Sequence, residues 1–382
     1  MAFLSGTRRG KPMTNRELAH TRLYNQRLAG TPLATPEEVV AWLGAVQSQD
    51  YAGAKWAISQ RTPGLSDAAI EAVFAEGRIL RTHVLRPTWH FVTPADIRWL
   101  LAITAPRIHA LNAYMVRQLE LDDAIFARSN VAFAKAMEGG RQLTRAELGE
   151  VLAEVGIEAT GMRLGYLLHR AELDAVVCSG ARRGKQFTYA LLDERAPNAR
   201  TLTREEALAE LTRRYFASHG PATLKDFTWW CSLTLADARA GMELVKEHFV
   251  SETIGDQTFW FSPSTPDLHG VLRPASPSAY LLPNYDEYGS YADHSAILDA
   301  QYGNRLNPRE SAVFNNLIVI DGQILGTWRR TLKKKAVVVE ILPFRPFNAA
   351  EESAVNAALA RFGHFLDRPV VRVTAESPAA EA

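Results

Sequence analysis

Apolar positions along the first third of the chain recur at helical spacing in short bursts. A run of strand-forming residues then follows. Val39, Val40, Leu43 and Val46 fall three and four apart and predict a helix; Pro36, Glu37 and Glu38 suit its first turn, with Thr35 as N-cap. Residues 51–60 predict a second helix with Asp50 as its cap, and Leu18, Leu23 and Leu28 mark an earlier one over residues 16–29. Ser66 opens another helix that Gly77 closes, and residues 79–92 have strand composition around a turn-like Arg86-Pro87. Helices followed by a two-stranded hairpin are the plan of a winged helix.

The same order returns twice. Thr144 and Glu147 form a capping box, residues 161–171 suit a second helix, and residues 175–192 read as strand, Gly/Arg turn, strand. From Thr203 a third copy runs through residues 223–230 and 234–245 to a wing at 249–261. After a Pro- and Ser-rich linker at 262–278, strands dominate around an Asp-Gly turn and a Lys-rich turn, with a closing helix over 348–365. The predicted fold is mainly α with β wings (α+β). Its units are winged helices at 12–118, 119–198 and 199–278, followed by a small C-terminal domain at 279–375.

Gln47 and Gln49 fall where the first predicted helix of the Val39 run gives way to the second. Residues two apart on a continuous helix diverge, but at a helix end or turn two amides can converge on a water or a base edge. Around them, Val46-Gln-Ser-Gln-Asp-Tyr51, Trp56-Ala57, Arg61 and Leu80-Arg-Thr-His-Val-Leu-Arg-Pro-Thr-Trp-His-Phe-Val92 closely resemble the AlkZ/YcaQ family. These are bacterial winged-helix DNA glycosylases that unhook interstrand crosslinks and remove bulky alkylpurines. The likeness continues through residues 174–180, 184–189, 218–222 and Leu281-Leu-Pro-Asn-Tyr-Asp-Glu-Tyr288. It implies a C-terminal β-barrel and a catalytic Gln-x-Gln signature matched by Gln47 and Gln49; Ser48 departs from the larger apolar residue often found between them.

Neither amide titrates near neutral pH, so neither is an ordinary general base. That weakness is tolerable if the substrate is an N7-alkylated purine, whose positive charge lets its bond to the sugar break without enzymatic protonation. What remains is to position water and stabilise an oxocarbenium-like sugar, which preorganised amide dipoles can do. Asp50, Arg86, Thr88, Trp89 and His90 are candidate site-lining residues, although Asp50 reads first as a cap and His90 equally as a strand residue. His83 is a weaker candidate; His109, His219 and His248 read as structural. Trp229, Trp230, Tyr285 and Tyr288 read as core or as stacking platforms, and Asp286-Glu287 as structural or site-lining.

With 43 Lys and Arg against 42 Asp and Glu, the net charge is only +1, so a DNA footprint has to be local. Candidates are Arg182, Arg183 and Lys185 in the second wing, Arg329, Arg330, Lys333, Lys334 and Lys335 in the turn between barrel strands, and Arg8, Arg9 and Lys11 in a basic tail. Cys178 and Cys231 lack metal-ligand spacing, and no cofactor or metal is expected. With no membrane span and no signal-peptide core, the expectation is a cytoplasmic monomer acting on double-stranded DNA that carries alkylated or crosslinked purines. The rival is a non-catalytic winged-helix DNA binder such as a transcriptional regulator, which would typically dimerise on a palindrome.

Overall fold

The computed structural model describes residues 12–62, 64–265, 277–306 and 315–374, and the fold mixes helices and strands throughout. Arg8, Arg9, Lys11, most of the 262–278 linker and the C-terminal tail lie outside the described residues. Thr14 caps α1 (Asn15–Asn25) in a capping box with Glu17, and Thr35 caps α2 (Pro36–Leu43) in another with Glu38. Gly44, at φ +85°, then turns the chain into the short strand β1 (Val46–Gln47), a backbone position glycine adopts readily. Asp50 accepts the Gly53 N–H at 3.0 Å to start α3 (Tyr51–Ser59), and Ser66 starts α4 (Asp67–Ala75). β2 (Leu80–Val84) and β3 (Thr88–Val92) form the hairpin, and β1 adds to β3, giving the strand order β1-β3-β2.

After α5 (Ile97–Gln118) and α6 (Asp123–Met137) come β4 (Leu143–Thr144), α7 (Arg145–Glu154) and α8 (Gly161–Leu173). β5 (Val177–Ser179) and β6 (Thr188–Leu191) complete a sheet of order β4-β6-β5. The short α9 (Leu192–Arg195) leads to α10 (Arg204–His219), α11 (Leu224–Cys231), α12 (Leu235–Val245) and the hairpin β7 (Val250–Ile254) with β8 (Gln257–Phe261).

The C-terminal part departs from the expected barrel. β9 (Ala279–Leu282), β10 (Leu317–Ile320), β11 (Gln323–Leu332), β12 (Val337–Pro343) and β13 (Val370–Thr374) form an open sheet of order β13-β12-β11-β10-β9. β13 runs parallel to β12, which requires a crossover, and α13 (Ala349–Leu366) supplies it. The helix packs Phe362 on Trp328 and on Trp56, with ring centroids 5.2 and 5.0 Å apart. An apolar face covered in this way needs no closure into a barrel.

The cores do not follow chain order. One joins the β2–β3 hairpin and α5 to α10–α12; another joins α2–α4 to the C-terminal sheet and α13. Where these bodies meet, Arg61 grips Asp286 with two hydrogen bonds of 2.9 Å, both side chains 1% exposed, and also donates to the Gln26 carbonyl. A buried pair broken on one side leaves an uncompensated charge. Asp286→Ala should therefore destabilise the protein by about 3–5 kcal/mol in urea unfolding, and a loss below about 1 kcal/mol would contradict this junction.

Candidate active site

The structure places Gln47 and Gln49 differently from the helix end that the sequence suggests. Gln47 is in a strand, not at a helix end, and the Ser48 N–H donates to the Trp89 carbonyl at 2.7 Å, carrying the pairing one residue further. Successive residues of a strand alternate faces, and cross-strand partners share one. Gln47 therefore shares a face of the β1-β3-β2 sheet with His90, its cross-strand partner, while Val46 turns to the other, and Gln49 follows in the bend that leads into α3. Gln47 is 5% exposed; Gln49 is exposed, and its side chain makes no hydrogen bond among the described residues.

Each neighbour of Gln47 constrains it in a definable way. Arg86, at the hairpin turn, donates from Nη2 to Gln47 Oε1. A guanidinium only donates, so the amide carbonyl faces Arg86, and the NH2 end makes no hydrogen bond among the described residues. The outer-edge N–H of Gln47 donates to Glu287 Oε1 at 3.2 Å. Glu287, 1% exposed, also accepts from the Trp230 indole at 2.7 Å and contacts His219 Nε2 at 3.3 Å. Burial pushes its carboxyl up, but the His219 hydrogen bond and charge, His90 and the Gln47 N–H outweigh this and hold it below the usual glutamate value. Arg81 clamps the far side: it donates to the Ser48 carbonyl at 3.2 and 3.3 Å and lies between the Trp89 and Phe187 rings, 4.3 and 4.5 Å from their centroids. Burial pulls its pKa down to about 10, so it stays cationic at neutral pH.

His90 pairs directly across from Gln47 and is fully buried. Burial and the Arg86 charge push its pKa down to about 3, so the ring is neutral. Its Nδ1 lies 3.0 Å from the Thr88 carbonyl and must carry the proton there, because a carbonyl only accepts. Thr88 shares this face, whereas Trp89 is on the opposite face with Arg81 and His83. His83 contacts Glu172 and packs at a tilt against Trp89, ring centroids 4.3 Å apart.

Two elements of the expected DNA footprint are tied up elsewhere. Arg182 pairs with Glu71 at 3.3 Å and Arg183 with Glu147, leaving Lys185 exposed and without an ion pair among the described residues. Arg329 and Arg330 belong to strand β11 rather than to the turn, and Arg330 pairs with Asp50 at 2.7 Å, holding the β11–β12 hairpin against the motif. Arg329, Lys333, Lys334 and Lys335 are exposed and make no ion pair among the described residues, and Leu332 beside the lysines is 59% exposed. A cleft of about 540 Å³, lined by Asp50, Asn284, Asn316, Arg329 and Glu340 among others, opens at this junction.

Arg81 and His219 join the site without a signal in the sequence that singles them out, and Asp286-Glu287 gains a definite role only in the fold. Trp230 is buried in the core, Trp229 is 43% exposed, and Tyr288 is fully buried with its hydroxyl on the Ala19 and Gly322 carbonyls. His109 sits 3.6 Å from Asp174, and His248 is exposed. Both cysteines are buried and free. Among the described residues no helix is long and apolar enough to cross a membrane, and no cluster of His, Cys, Asp or Glu could hold a metal ion.

The chain belongs to the DNA glycosylase AlkZ-like family, whose model matches residues 40–365. It is 22% identical over 365 residues to the interstrand DNA cross-link repair glycosylase of Streptomyces sahachiroi, an alignment covering 90% of this chain and 96% of that protein. The solved structure of Streptomyces sahachiroi DNA glycosylase AlkZ superposes with a TM-score of 0.78 at 20% identity, covering 95% of this chain and all of that one, and establishes the likeness of fold.

The neutral state of His90 has a thermodynamic signature. Its folded value near 3 lies below the ordinary 6.5, so between those values the unfolded chain binds a proton that the folded chain does not. Stability therefore falls as pH is lowered through this window, by about 2 kcal/mol at pH 5 from this group alone. Urea unfolding of His90→Gln should lose that much of the wild-type decline between neutral pH and pH 5; an unchanged slope would contradict a buried neutral ring.

Proposed function

We propose that this protein is a monofunctional DNA glycosylase that hydrolyses the bond between sugar and base at bulky N7-alkylguanine adducts, interstrand crosslinks included. The observation that carries this reading is Gln47, held by Arg86 and Glu287, two residues before an exposed Gln49 beside the Arg330–Asp50 contact that anchors a lysine-rich hairpin. N7 alkylation makes the purine a cation, so the electrons of its bond to C1′ flow into the ring without a proton from the enzyme. The sugar left behind has oxocarbenium character, and a water adds to C1′, forming the new C–O bond and releasing its second proton to solvent. The exposed Gln49 amide directs its dipole at the sugar and water, while Gln47, fixed by Arg86 and Glu287, orients the same water from behind. Because Glu287 balances Arg86, the developing cation does not face an unopposed buried positive charge.

The chain is best read as three tandem winged-helix units, at residues 12–118, 119–198 and 199–278, followed by the sheet domain at 279–375. Three such modules in one chain supply a DNA-binding surface to a monomer without a second copy. Lys185 and the free lysines of the β11–β12 hairpin would meet the phosphates. The relationship to a crosslink-repair glycosylase favours crosslinked or bulky substrates, and self-resistance to a genotoxic natural product is a fitting role.

Base release from duplexes carrying N7-methylguanine, a bulky N7 adduct and a nitrogen-mustard crosslink tests the chemistry. Wild type should release base, with Gln47→Ala and Gln49→Ala slower by about a hundredfold or more while still binding DNA. Release that survives both substitutions would move the site elsewhere. Tight binding to undamaged DNA with no release from any substrate would favour the regulator. Replacing Lys333, Lys334 and Lys335 together with alanine should weaken binding regardless of sequence and reduce the slope of log K against log salt by up to about three; an unchanged slope would remove the hairpin from the DNA interface.

A further inference from the structure

The face that carries Gln47 holds more hydrogen-bonding capacity than the protein itself satisfies. Thr82, His90 and Gln47 lie in one cross-strand row, since His90 pairs with both of the others. Thr88 is two residues along β3 from His90 and therefore on the same face. Thr82 and His90 are each 0% exposed. Among the described residues the Thr82 hydroxyl, the Thr88 hydroxyl and His90 Nε2 are all buried without a partner. Such groups are normally satisfied, and leaving several unpaired side by side is costly. The atoms are also chemically complementary. With the His90 proton on Nδ1 and donated to the Thr88 carbonyl, Nε2 presents a lone pair, while the two hydroxyls can each donate or accept. A buried water makes about three hydrogen bonds in a polar setting of this kind.

We propose that this face binds an internal water between His90 Nε2, the Thr82 and Thr88 hydroxyls and the Gln47 amide, and that His90 acts through it as a positioning residue for Gln47. The inference rests on the reading of Gln47 as a catalytic amide. Arg86 secures the carbonyl end of Gln47, and the bound water secures the amide from the sheet side, so its dipole cannot rotate when the cationic sugar forms. A neutral ring suits this role, because an imidazolium here would offer the water a second donor where an acceptor is needed, and would add to the charge of Arg86.

A crystal structure of the protein at a resolution that orders internal waters tests the site independently of any activity. It should contain a water within hydrogen-bonding distance of His90 Nε2 and at least one of the two threonine hydroxyls; a dry face, or a protein atom on Nε2, would overturn the proposal. The positioning role is tested by single-turnover base release with DNA affinity measured alongside. His90→Leu, which keeps bulk but no acceptor, should slow release by about a hundredfold at unchanged affinity. His90→Gln, which returns a polar group near the place of Nε2, should restore most of the rate. Wild-type rates in His90→Leu, or equal losses in both variants, would overturn the role of His90. A wild-type protein that releases no base would instead overturn the glycosylase reading and leave the water site to be judged by the crystal structure alone.

Discussion

The carboxylate of Glu287 holds together three parts of the chain that are remote in sequence. It accepts from the backbone of Gln47 across 240 residues, from the indole of Trp230 and, on the same oxygen, meets His219. Removing a carboxylate from water costs several kcal/mol unless its lone pairs are filled, so these partners are required once Glu287 is buried. That requirement fixes the free edge of β1, and through it the position of Gln47. Arg61 and Asp286 act one residue earlier in the same turn, joining α3 to the segment that carries Glu287.

From this follows a division of labour between the two amides. Gln47 is held by Arg86 on its side chain and by Glu287 on its backbone, and its freedom is lost before any substrate arrives. Gln49 is exposed and its side chain makes no hydrogen bond among the described residues, so in the proposed mechanism it is the amide left to meet the substrate. Between them Ser48 is buried with its carbonyl on Arg81, whose guanidinium lies between the Trp89 and Phe187 rings. A held amide backed by a neutral histidine and followed by an exposed one suits the proposed reaction, in which the leaving base brings its own charge and the protein has only to arrange water around a cation.

What the sequence made legible was local. Thr35 with Glu38, Thr144 with Glu147, and Asp50 ahead of Tyr51 cap helices as their spacing predicts, because a cap depends on residues three apart. The geometry of Gln47 and Gln49 was not legible. Val46 continued the helical period of Val39, Val40 and Leu43, and a two-residue strand is too short to leave an alternation of its own. Gly44 was the available sign that the helix had ended. The open sheet was hidden for a related reason: whether a sheet closes depends on which edges pair, and the parallel return of β13 through α13 leaves no mark in the pattern of either strand. Arg330 read as a DNA contact because a basic run carries no sign of its acidic partner, Asp50, 280 residues away.

A crystal structure of the protein bound to a duplex containing a cationic pyrrolidine analogue of the abasic sugar probes the glutamine mechanism at the reacting atoms. The charged ring nitrogen should lie beside the Gln49 amide, with a water shared between it and Gln47, and the β11–β12 hairpin should rest against the DNA backbone. A sugar analogue seated away from the glutamines, with Gln47 and Gln49 contacting neither it nor its water, would rule that mechanism out.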